Sequence, residues 1–95
     1  MGRATPDLTG PMRHARDEDL DRIEPLLAQL RSLDGLTEKK RGAFYRGSRA
    51  FLHFHEDHGD TYADVRLSGD AFERTRATTK AEQRALVAAV RRALT

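Results

Sequence analysis

Apolar residues along the chain follow two different periods. Leu20, Ile23, Leu26, Leu27, Leu30 and Leu33 recur three and four apart, the spacing that gathers side chains on one face of a helix. This stripe predicts a first helix over residues 21–33, with Asp21 as its N-cap and Gly35 as its stop. Pro25 then falls at the fourth helical position, and because the first four N–H groups of a helix are read as lacking intrahelical partners, its missing N–H is expected to cost little. Near the other end Ala81, Ala85, Leu86, Ala89, Val90, Ala93 and Leu94 repeat the helical period. Thr79 with Glu82 three residues on reads as a capping box, and Arg91 and Arg92 suit the negative end of that helix.

Between the helices the period changes to two. Gly47-Ser48 and His58-Gly59 are two-residue turn signals, and each fixes a register. The first sets Tyr45 opposite Ala50 and Ala43 opposite Leu52. The second sets His55 opposite Tyr62, His53 opposite Asp64 and Phe51 opposite Arg66. Ala50, Leu52 and Phe54 then share an apolar face with Ala43, Tyr45, Ala63 and Val65, whereas a one-residue slip mixes them with Asp64 and Arg66. Residues 68–78 hold Phe72 alone among polar residues and have room for a short fourth edge strand. The pattern therefore predicts an α+β fold: a helix, a three-stranded antiparallel meander and a C-terminal helix, in a single domain over residues 16–95. Residues 1–15, with Gly2, Pro6, Gly10 and Pro11 and no apolar period, read as a mobile tail.

Composition narrows the function classes. A chain of 95 residues builds one small core. It has no cysteine, which excludes disulfides, thiolate metal sites and cysteine nucleophiles. No apolar run approaches the roughly 20 residues of a membrane span, and no secretory signal is seen, so the cytoplasm is the expected location and no membrane partner is expected. Seventeen basic against fifteen acidic residues give a net charge of +2, too balanced to argue for nucleic acid alone. Asp17, Glu18, Asp19, Asp21 and Glu24 form an acidic block that suits a helix N-terminus. Lys39, Lys40, Arg41, Arg46 and Arg49 form a basic stretch that reads first as a solvated face.

Candidate chemistry lies opposite the apolar face of the meander, in Phe44, Arg46, Arg49, Phe51, His53, His55, Tyr62, Asp64 and Arg66. Phe44, Arg46, Arg49, Phe51, Tyr62 and Arg66 suit a binding face, covered by a helix, by a second copy in a homo-oligomer or by another partner. The same aromatics and arginines can stack on unpaired bases and hold phosphates. His53, His55 and Asp64 have the donor types of a zinc-like site with open positions, although His-x-His alone is a weak signal and a histidine facing an aspartate is commonly a cross-strand ion pair. No nucleophile accompanies His53 and Asp64, since Ser48 and Ser68 fall at turns, and the phosphate-cradling glycine motifs are missing. The leading expectation is a non-enzymatic binding module that needs no cofactor, with divalent-metal binding and nucleic-acid binding as the alternatives.

From Lys40 to Leu67, the run Lys-Arg-Gly-Ala-Phe-Tyr-Arg-Gly-Ser-Arg-Ala-Phe-Leu-His-Phe-His, followed by Tyr-Ala-Asp-Val-Arg, resembles a small bacterial family with an "FLHFH…ADV" core and a terminal helix like that of Glu82 to Leu94. The entry into the meander is also loosely similar to the YjbR-like proteins. The first resemblance implies no activity; the second implies a DNA-binding role.

Overall fold

The computed structural model describes residues 13–95. Among these are six strands, β1 (Arg13–His14), β2 (Thr37–Lys40), β3 (Ala43–Arg46), β4 (Arg49–Asp57), β5 (Asp60–Val65) and β6 (Glu73–Arg76), and three helices, α1 (Asp17–Asp21), α2 (Glu24–Arg31) and α3 (Lys80–Leu94). The strands form one antiparallel sheet in the order β2-β3-β4-β5-β6, and β1 also pairs with β4. Buried residues of α2 (Leu26, Leu27, Leu30), of α3 (Leu86, Val87, Val90) and of the sheet (Phe44, Leu52, Phe54, Ala63, Val65) join in a single apolar cluster. The helices thus cover one side of the sheet and leave the other open. No helix among the described residues is long and apolar enough to cross a membrane.

The second hairpin forms in the expected register. His58 and Gly59 both have positive φ, 51° and 85°, which matches the right-handed twist of the flanking strands. His53 pairs with Asp64 and His55 with Tyr62, and Arg66 N donates to Phe51 O at 2.9 Å. The first hairpin begins as expected, with Tyr45 opposite Ala50, but a bulge at Phe51 then sets Phe44, not Ala43, opposite Leu52. The bulge turns Phe44 into the core, where it is 1% exposed. Burying a phenylalanine instead of an alanine outweighs the local break in the ladder, since full burial of such a side chain stabilises by about 1.5–3 kcal/mol.

The expected first helix is two. α1 ends at Asp21, and α2 starts after Ile23, with Pro25 in its first turn. A helix running through residue 25 would set the proline ring against the carbonyl of Asp21, so the chain stops and restarts. Asp17, Glu18, Asp19 and Glu24 of the acidic block lie in the first turns, as helix polarity favours, while Asp21 ends α1. α3 starts with the expected capping box: Glu82 N donates to Thr79 Oγ1 at 3.1 Å and Thr79 N to Glu82 Oε1 at 3.0 Å. Its buried face turns slightly from the expected one, with Val87 inside and Ala81 and Ala85 outside.

The sheet is also wider than the predicted meander. β6 fills the expected fourth edge; β1 and β2 are additions. Most of the expected mobile tail, residues 1–12, lies outside the described residues, but Arg13 and His14 belong to the sheet. Arg13 pairs with Asp19 at 3.0 Å and Glu56 at 3.2 Å, and Ala15 N donates to Phe54 O at 3.1 Å. Asp19, 3% exposed, also accepts from Arg16 N, so a buried carboxylate ties β1 to α1.

Candidate metal centre

The β4–β5 register projects His53, His55 and Asp64 from the face that the helices leave open. Asp64 is 8% exposed. Its Oδ2 is 3.4 Å from His53 Nε2 and 3.1 Å from His55 Nε2. The shorter approach is off the line of a hydrogen bond, and His55 Nε2 is buried without a hydrogen-bond partner. One donor atom from each of the three residues lies within 4.8 Å of the other two. Donors bound tetrahedrally at about 2.0–2.2 Å stand roughly 3.3–3.5 Å apart, close to both histidine–aspartate distances.

Protonation suits the same reading. Burial pushes both imidazoles below the ordinary histidine value; His55 and His14 add repulsion at His53, and His14 and Arg74 at His55, against the opposing pull of Asp64. Burial would raise the Asp64 carboxyl, but the hydrogen bonds and charge of Arg74, with the two imidazoles, outweigh it and hold Asp64 below the usual carboxylate range. Near neutral pH the cluster is two neutral imidazoles and one carboxylate, the state in which these groups bind a cation.

Two neighbours were not legible in the sequence. Arg74 from β6 donates Nε to Asp64 Oδ1 and Nη2 to Oδ2, both at 2.8 Å, fixing the carboxylate plane. Only the Asp64–Arg74 pairing of β5 with β6 reveals this role. His14 stands opposite His55 through the β1–β4 pair, with ring centroids 4.6 Å apart. A two-residue strand carries no alternation from which to find it. Phe72, isolated in the sequence, places its ring 4.9 Å from His53 and 4.2 Å below the Arg66 guanidinium. A cleft of about 270 Å³, lined in part by His14, Lys40, Ala43 and His53, opens onto the His53 side of the cluster; His55 and Asp64 do not line it.

The broader binding face separates. Phe44 and Phe51, 1% and 3% exposed, belong to the core and offer no surface to a partner. Tyr62 pairs with His55 and Arg76 toward the second hairpin. Arg46, Arg49 and Arg66 remain together around a smaller cavity by the first hairpin. In the basic stretch Arg41 is bound by Asp17, Asp21 and Glu24, so the acidic block and this arginine neutralise one another. Lys39 lies over the Tyr45 ring at 4.5 Å.

Comparison with family models, curated proteins and solved structures gives no match.

Proposed function

We propose that this chain is a small divalent-metal-binding module with His53, His55 and Asp64 as its protein ligands. The observation that carries the reading is the approach of two imidazole Nε2 atoms to one carboxylate oxygen, at 3.4 and 3.1 Å, with the buried His55 nitrogen free of any hydrogen bond. A plain hydrogen bond would be directed along that nitrogen, and none is, although it stands 3.1 Å from Asp64 Oδ2. Two nitrogens and one oxygen suit zinc and its first-row neighbours better than calcium or magnesium. Three protein ligands leave a position open to water or to a small ligand entering by the cleft. Arg74 orients and ionises Asp64 as an outer-shell partner, and its positive charge also weakens the hold on a dication, so the expected site is exchangeable.

The test is a thermal melt of chelator-treated protein with zinc, nickel or manganese added. A specific site raises the melting temperature as the metal exceeds its dissociation constant, stabilising the fold by about 2.7 kcal/mol at a hundredfold excess. His55→Ala and Asp64→Asn should each abolish the rise, whereas His58→Ala, at the exposed hairpin tip, should keep it. No rise with any of the three metals, or an equal rise in the Asp64→Asn protein, rejects the proposal.

A further inference from the structure

Two arginines that face each other across the β3–β4 turn and a third just after β5 surround a second cavity. It measures about 180 Å³ and is lined by Arg46, Arg49, Ala50, Phe51, Arg66 and Gly69, at the end of the sheet where β3 turns into β4. Among the described residues, Asp70 is the one carboxylate that pairs with any of these guanidiniums. It bonds Arg49, and its side chain is 89% exposed.

Arg66 is held in place. Its Nη1 donates to Ala50 O at 2.8 Å, its Nε to Asp70 O at 2.9 Å, and its plane stacks on Phe72. Arg46 Nη1 donates to Ala93 O at 3.2 Å, at the end of α3. A guanidinium has five N–H donors, and the bonds named use one or two on each arginine. Donors and positive charge therefore remain at the rim of a recess too small for a drug-sized molecule, whose pockets run to about 300–1,000 Å³.

We propose that the Arg46–Arg49–Arg66 recess binds a phosphate group, and that Asp70 occupies part of it as an internal stand-in. A phosphate monoester brings close to two negative charges and three acceptor oxygens to planar donor forks that match it. Asp70 brings one charge through a solvent-exposed pair, so an incoming dianion displaces it readily. Free phosphate and the phosphate of an organic monoester share this chemistry. The latter gains if its organic part packs beside Ala50.

The experiment titrates chelator-treated full chain with inorganic phosphate and, separately, with phenyl phosphate. Amide NMR shifts are followed at constant ionic strength. Saturable shifts centred on residues 46–51 and 66–70 are expected. Tighter binding of phenyl phosphate identifies an organic monoester, and equal binding identifies the free ion; both support the recess. Asp70→Asn should tighten binding roughly two- to fivefold by removing the competing charge. Arg49→Ala, whose side chain is 55% exposed, should weaken it roughly tenfold or more without unfolding the chain. Arg66→Ala should do the same, checked for folding by circular dichroism because this arginine also bonds backbone. His55→Ala, outside the recess, should bind phosphate as the parent does. Non-saturable shifts in both the parent and the Asp70→Asn protein overturn the proposal. So does unchanged affinity in Arg49→Ala, or loss of binding in His55→Ala.

Discussion

Phe44 shows how much a single residue decides. Alternation from a two-residue turn places it on the open face, and the bulge at Phe51 places it in the core beside Leu52. The two placements differ in energy. Phe44→Ala should destabilise by about 3–5 kcal/mol in urea unfolding, the cost of emptying a buried aromatic site. An open-face phenylalanine would cost less than about 1 kcal/mol. Gly42 is equally specific. Its φ is +80°, and a Cβ there would meet Leu20 Cδ2 at 2.9 Å. Gly42→Ala therefore joins backbone strain to a clash with the α1 leucine and should cost about 1–3 kcal/mol, read from the same unfolding curves.

Among the elements, those with a local signature were legible and those without were not. The second hairpin has turn residues and alternation that agree, and every pair expected of it forms. The α3 capping box was equally plain, and it makes a pH prediction. The backbone N–H of Thr79 and the side chain of Arg76 pull the Glu82 carboxyl down to about 2, from an ordinary 4.5. A carboxyl depressed by folding stabilises the fold above its unfolded value and loses that contribution as pH falls through the folded one. The melting temperature should therefore fall between pH 4.5 and 2. Glu82→Gln should be less stable than the parent at pH 6, and the gap should narrow across that window. A gap that stays constant contradicts the assignment. β1 and β2 lacked such signatures. Both are short and polar, and β1 is ordered by Glu56, distant in sequence, and by the buried Asp19 six residues on. The break between α1 and α2 was written in Pro25, but reading Asp21 as the N-cap hid it, because that helix would set the proline ring against the Asp21 carbonyl.

For the molecule as a whole, packing all the helices on one side of the sheet separates structure from chemistry. The core takes Phe44 and Phe51, which sequence spacing had assigned to a binding surface. The open side retains the histidines, Asp64 and Arg74. The His53–Asp64 pairing was legible because it belongs to one hairpin. The enclosure of that pair by His14, Phe72 and Arg74 was not, because β1 delivers His14 from one side of the hairpin in sequence and β6 with its preceding residue delivers Arg74 and Phe72 from the other. The functional account therefore rests on a site of which half follows from one turn and half from tertiary pairing.

The most direct test is to observe the imidazole nitrogens in a long-range nitrogen–proton NMR spectrum of chelator-treated protein as zinc is added to one equivalent. The account predicts that the Nε2 signals of His53 and His55 both move and saturate together, that those of His58 stay in place, and that Asp64→Asn removes the change. Unmoved Nε2 signals in His53 and His55 at one equivalent of zinc, or identical changes in the Asp64→Asn protein, would contradict it.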